Sequence, residues 1–126
     1  MNRMTLDSGA LIGFERSDRR VLVRLKKAHL QGQDLVVPTV VIAEAWRGGA
    51  RSARLAKLLA ACVIESLGED LAKNAGEAIA STKGAGVVDA IVVASAAIHG
   101  DAVLTSDFDD LDRLRSHFPG VLLLTL

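Results

Sequence analysis

Apolar residues along this chain fall into short continuous runs that alternate with stretches of helical periodicity. Met4-Thr5-Leu6 predicts a short buried strand. Asp7-Ser8-Gly9 then supplies a turn with capping residues before a short helix over 10–14. Ser17 or Asp18 caps a second helix over 19–31, where Val21, Leu22, Leu25 and Ala28 or His29 recur at helical spacing with basic residues opposite. Residues 35–37 read as a second strand. Pro38 has no N–H for a ladder bond and suits a strand end or the first turn of a helix over 39–46, halted by Gly48-Gly49. Ser52 caps a further helix to about Leu59, and 62–65 form a third strand.

The second half continues in the same way. Residues 68–81 carry a stripe of Leu71, Ala72, Ala75, Ala78 and Ile79, followed by a loop over 83–86. The apolar run 88–98 is too long for an ordinary strand, and its four alanines predict a core helix. A fourth strand over 102–105, a helix over 108–117 and a terminal strand over 121–124 complete the pattern. Strands alternating with helices imply an α/β fold: a central parallel sheet of about five strands, covered by helices on both faces. Without repeats or a composition break, residues 1–126 read as one domain.

Composition narrows the function classes. Half of the residues are hydrophobic, which suits a globular core rather than a disordered chain. One Trp, three Phe and no Tyr argue against recognition by stacking bases on aromatic platforms. The single cysteine, Cys62, lies among alanines and aliphatics, reads as a buried small hydrophobe, and excludes a disulfide scaffold or a cysteine-rich zinc site. No apolar run approaches the roughly 18 residues of a membrane helix, and the N-terminus lacks a long apolar leader, so a cytoplasmic location without membrane contact is expected. Net charge is zero, but residues 1–63 carry eleven Lys and Arg against five acids, whereas 64–126 carry four against ten. A basic flank beside an acidic site suits a phosphate-backbone ligand, although solvated helix faces give the same pattern.

Four acids interrupt the most apolar segments. Asp7 follows Met4-Thr5-Leu6, Glu44 lies within Val40–Trp46, Asp89 breaks Val87–Val93, and Asp107 closes Ala102–Ser106. A carboxylate near a hydrophobic core costs several kcal/mol unless it is paired or binds a metal. In open parallel sheets, ligands gather beyond the carboxyl ends of the strands, where Asp7 and Asp107 belong; Glu44 falls within two turns of that edge. Asp7 and Asp107 also suit helix N-caps, and Glu44 suits a helix surface, although its apolar neighbours argue against full exposure. Asp89 is hardest to explain structurally. Four carboxylates in one pocket repel, and a hard divalent cation such as Mg²⁺ or Mn²⁺ resolves the conflict. His29, His99 and His117 sit at helix ends or beside a glycine stop, and histidine chemistry is poorly supported.

At these residues the chain resembles the PIN-domain ribonucleases, and among them the VapC-type toxins of bacterial toxin–antitoxin pairs. The matching pieces are Leu6-Asp7-Ser8-Gly9-Ala10-Leu11-Ile12, Pro38-Thr39-Val40-Val41-Ile42-Ala43-Glu44, Val88-Asp89-Ala90-Ile91-Val92-Val93-Ala94 and Leu104-Thr105-Ser106-Asp107-Phe108-Asp109-Asp110-Leu111. Their order and spacing carry the likeness. The resemblance implies a PIN-like three-layer fold and a Mg²⁺- or Mn²⁺-dependent endoribonuclease, with Asp7 and Asp89 as the firmest ligands. Asp107 and Glu44 would complete the site directly or through water. Thr105 and Ser8 would orient carboxylates or waters, and Asp109 would join them or serve as a helix first-turn acid. It also implies a homodimer neutralised by a VapB-like antitoxin lying in a groove between the early helices and the helix after Ser52. Trp46, Leu55 and Leu58 are candidates for that groove's apolar wall, with core packing the favoured role for Trp46. Balanced charge and scarce aromatics depart from an obvious RNA-binding surface. Two rivals stand beside this reading: a catalytically silent PIN-fold binding module, and an Asp-based phosphotransfer domain. The second is weakened by Gly9, where a dehalogenase-type site needs a second Asp.

Overall fold

A computed structural model describes residues 3–126. Its central strand is β1 (Arg3–Leu6), and the helices α1 (Ser8–Glu15) and α2 (Arg19–Leu30) lead to β2 (Asp34–Pro38). α3 (Thr39–Ala45), a 3₁₀ turn at Gly49–Ser52 and α4 (Ala53–Ala60) connect to β3 (Val63–Glu65). The pair α5 (Glu69–Ser81) and α6 (Val87–His99) returns to β4 (Ala102–Thr105). α7 (Phe108–Asp112), with a 3₁₀ extension Arg113–Ser116, ends at β5 (Leu122–Thr125). All pairings are parallel, in the order β3-β2-β1-β4-β5.

This order makes the chain wind outward from β1 through β2 to β3, then jump back to the other side of β1. Right-handed crossovers therefore put α1 to α4 on one face and α5 to α7 on the other. The packing agrees: α1 touches α2, α3 and α4, while α6 packs against α5 and α7. Strand order reverses between β1 and β4, the place where open parallel sheets form a crevice at their carboxyl edge. Register aligns Leu6 with Leu104 there, and the Asp7 N–H extends the ladder to the Leu104 carbonyl at 3.2 Å.

Burial follows the periodicities that define the elements. Leu6, Val36, Val37, Val103 and Leu104 are fully enclosed, as expected of strands covered on both faces. α6 buries every residue from Ala90 to Ala96, and its small side chains let it lie close across the sheet. α5 turns Leu71, Ala75 and Ala78 inward, but Ala72 is exposed because that stripe is narrower than the sequence suggests. Ser52 is not the side-chain cap expected of it. Its buried Oγ instead accepts from the Arg47 and Gly48 N–H groups at 3.1 and 3.0 Å, closing the turn that precedes α4. The helix expected over 108–117 tightens to 3₁₀ from Arg113. Cys62 is only half-buried; its thiol donates to the Leu58 carbonyl, and burial pushes its pKa up to about 11. Among the described residues, no helix is long and apolar enough to cross a membrane.

Leu104 fills the centre of this core with no exposed surface. Leu104→Ala should cost about 3 kcal/mol of stability through lost burial and a residual cavity, measured as a lower midpoint in denaturant titration.

Candidate active site

Asp7 ends β1 at the point where strand order reverses, and it is only 6% exposed. It caps α1: Oδ1 accepts from the Gly9 N–H at 2.9 Å and the Ala10 N–H at 3.4 Å. The other oxygen, Oδ2, accepts from the hydroxyl of Thr105, the fully buried last residue of β4. That hydroxyl already accepts the Asp107 N–H at 2.8 Å, so its hydrogen is directed at Asp7. Thr105 thus fastens β4 to β1 and fixes the backbone from which Asp107 projects. Asp7 is thus the helix N-cap that the sequence offered, set at the edge where strand order reverses.

No cation pairs with Asp7 among the described residues. The buried Asp101, at the opposite edge of the sheet, is treated differently: it receives the Thr5 hydroxyl at 3.2 Å and lies 3.3 Å from the Arg3 Nε. Burial raises the Asp7 pKa from 3.8 to about 6, against the lowering effects of Thr105, Ala10 and Gly9, with the charge of Asp107 adding to the rise. The folded chain thus holds this proton more tightly than the unfolded chain. Stability from this group is present at low pH and is lost as pH rises from about 4 to about 6.

Asp89 is the third residue of α6, half-buried in the first turn with Gly86 rather than itself at the cap position. Its pKa is raised first by burial, then by the like charges of Asp110, Asp107 and Glu44, while Arg113 opposes them. Those electrostatic neighbours bring acids from α3, α6 and α7 to the same edge. Asp107 occupies the cap position of α7, but its exposed carboxylate makes no capping bond and is free to face the crevice. Glu44 is exposed, contrary to the expectation from its apolar neighbours: α3 buries Val41 and Ala45, and Glu44 lies beside that stripe. Ser8 opens α1 half-buried and makes no hydrogen bond to these acids among the described residues. Asp109 is exposed in the first turn of α7.

The donors here are hard oxygens with too few cations, a set that fits a hard divalent ion. As the side chains stand, however, no group of three or more His, Cys, Asp or Glu among the described residues is arranged to hold one ion.

Sequence reasoning missed Asp110 and Arg113. Their signal was present, since residues 107, 110 and 113 recur at helical spacing and so share a face. Arg113 reaches Asp110 at 3.2 Å and donates to the Lys83 and Gly84 carbonyls at 3.4 and 3.5 Å, tying α7 to the loop before α6. Gly84 has φ +79°, and a Cβ there would stand 3.0 Å from Arg113 Nη1. Gly9 is equally constrained: a Cβ would lie 2.0 Å from Ser106 Oγ and 2.9 Å from its Cβ.

The apolar wall expected from Trp46, Leu55 and Leu58 is not formed. Leu55 is fully buried and Leu58 nearly so, because the inward stripe of α4 spends both on the core. Trp46 is the reverse case. The chain turns extended after α3, leaving this side chain 40% exposed rather than packed in the core.

Comparison with known proteins agrees with this architecture. Residues 4–116 match the sequence model of the PIN domain family. No curated protein matches the sequence. Among solved structures, VapBC2 from Rickettsia felis, bound to a promoter DNA fragment, is similar with a TM-score of 0.79 at 12% identity, covering 98% of both chains. DNA-bound VapBC from Salmonella typhimurium gives 0.74 at 16% identity, covering 99% of this chain and 98% of that one. A toxin–antitoxin complex from Klebsiella pneumoniae gives 0.72 at 20% identity, covering 94% and 95%.

Two outcomes follow for the metal-free protein. Asp7→Asn should stabilise it more at pH 8 than at pH 5, by a difference of about 1 kcal/mol, because wild-type Asp7 is already largely protonated at pH 5. Thermal melts at both pH values measure this. Thr105→Val removes a bond that lowers the Asp7 pKa, so NMR titration of the Asp7 carboxyl carbon should move to higher pH.

Proposed function

Because this chain belongs to the PIN domain family, we propose that it is a Mg²⁺- or Mn²⁺-dependent endoribonuclease that acts as the toxin of a VapBC-type pair. The observation that carries the reading is that the charge of Asp107 acts on both Asp7 and Asp89 at the strand-reversal edge, with Asp110 and Glu44 adding to it at Asp89 and Arg113 opposing it there. Asp7 and Asp89 would hold the ion, and Asp107 and Glu44 would complete its surroundings directly or through water. An ion held there would supply an activated water for attack on a phosphodiester and charge to stabilise the leaving oxygen, which would leave 3′-hydroxyl and 5′-phosphate ends.

The chain's own residues do the rest. Thr105 and the Gly9 and Ala10 N–H groups hold the Asp7 carboxylate in one orientation, so the other acids would have to close on Asp7 rather than Asp7 on them when a cation arrives. Ser106, against Gly9, forms the adjoining rim. Arg113 fixes Asp110 and the loop before α6, which keeps the first turn of α6, and so Asp89, at this edge. The solved structures similar in fold are toxin–antitoxin complexes, which supports a VapB-like antitoxin as partner for this chain. A homodimer in a cytoplasmic setting completes the reading.

A non-catalytic PIN-fold binding module is the second reading. It is favoured by the absence, among the described residues, of three carboxylates already arranged around one ion. Activity decides between the two. Asp7→Asn and Asp89→Asn should each reduce Mn²⁺-dependent cleavage of single-stranded RNA at least about a hundredfold with the fold retained by circular dichroism. Chelation should abolish cleavage and added Mg²⁺ or Mn²⁺ restore it. Undiminished cleavage in both variants would sink the site assignment; Mn²⁺ binding by wild type with no cleavage would support the silent module.

A further inference from the structure

α2 carries Arg20, Arg24 and Lys27, each one position before a core residue of the buried stripe Val21, Leu25 and Ala28. They therefore line the rim where α2 leaves the sheet, one cation per helical turn of about 5.4 Å. Arg16, just past the end of α1, precedes them in the same row. Three depressions run along this rim. The first, of about 420 Å³, is bounded by Gly9 and Ser106 at one end and by Arg16 and Arg20 at the other. A second shares Arg20 with it and adds Arg24, Lys27 and Thr125; a third shares Arg24 and Lys27 and ends at Gln31 and Gln33.

Through these shared residues the depressions adjoin one another as a furrow between α2 and β5, whose first part is lined by Gly9, two residues after Asp7, and by Ser106. The row is not a set of freely solvated ends. Arg24 is half-buried, and its Nη2 donates to the Thr125 carbonyl at 3.2 Å, which sets its guanidinium across the furrow. Asp18 is the one acidic side chain lining the three depressions, and it is paired with Arg20 at 3.2 Å, so the positive excess lies on Arg16, Arg24 and Lys27. The lining offers no aromatic ring to stack a base.

We propose that this furrow is a backbone track for single-stranded RNA leaving the acidic edge, with Arg16, Arg24 and Lys27 binding phosphates along it without reading base identity. The inference rests on the ribonuclease reading and deepens it. Regularly spaced cations with no stacking surface suit a charged polymer of repeating phosphates, whose affinity comes from counterion release. An acidic peptide is the competing occupant.

The test uses the full chain carrying Asp7→Asn, which prevents cutting, and a fluorescein-labelled oligouridine of about 12 nucleotides. Binding is measured by anisotropy across a salt series. Arg16→Gln with Arg24→Gln should weaken binding and lower the slope of log K against log salt by about 1.4, at about 0.7 per lost phosphate contact. Arg16→Lys with Arg24→Lys should restore most of that slope, and Lys57→Gln on α4 should leave it unchanged. An unaltered slope in the glutamine pair, with wild-type Asp7 chain still cutting the oligouridine, would overturn the track while leaving the nuclease reading intact. Neither binding nor cleavage by any variant would overturn both. Retained RNA slope with lost binding of a labelled polyglutamate peptide would assign the furrow to an acidic protein segment instead.

Discussion

Carboxylates that repel one another are held at one edge of this molecule because the strands and helices bearing them are locked together by apolar burial. Asp7 shows the cost most clearly. Moving its pKa from 3.8 to about 6 amounts to about 3 kcal/mol of strain on the ionised form near neutral pH, a large share of a small domain's stability. The sheet tolerates this because Leu6 and Leu104, adjoining the acid and its neighbour strand, are completely enclosed. The Thr105 hydroxyl converts that packing into orientation, joining the ends of β1 and β4 through Asp7 and the Asp107 N–H. Asp101 marks the contrast at the other edge, where an equally buried acid has Arg3 and Thr5 as partners.

Zero net charge conceals an ordered separation. The acid-rich second half of the chain supplies α6 and α7, with Asp89, Asp107, Asp109 and Asp110; the basic first half supplies α1 and α2. The crossover geometry sets these on opposite faces of one sheet, meeting at the edge where strand order reverses. Negative potential is therefore concentrated at the crevice while positive potential lies along the adjoining rim of α2. On the proposed reading, this separation would let one molecule hold both a cation and a polyanion without the basic excess usual for nucleic-acid binding. The same packing draws Leu55 and Leu58 of α4 into the core and leaves Trp46 exposed beyond α3.

Element type and order were legible in the sequence because period-two and period-3.6 patterns are local properties. All five strands and the principal helices fall within a few residues of expectation. So was the unusual character of Asp7 and Asp89, since an acid inside an apolar run carries its own desolvation problem wherever the chain folds. Side-chain surroundings were not legible. Ser52 looked like a cap and became a loop clasp, and Glu44 looked sheltered and proved exposed, because one residue of helical rotation separates those outcomes. Asp110 and Arg113 needed the packing of α7 against α6 before they became neighbours of Asp89. The sequence by itself determined which segments form strands and helices and which acids must be reconciled with burial. Only tertiary structure decided which groups share a crevice, because charges distant along the chain interact only once strand order has brought their ends together.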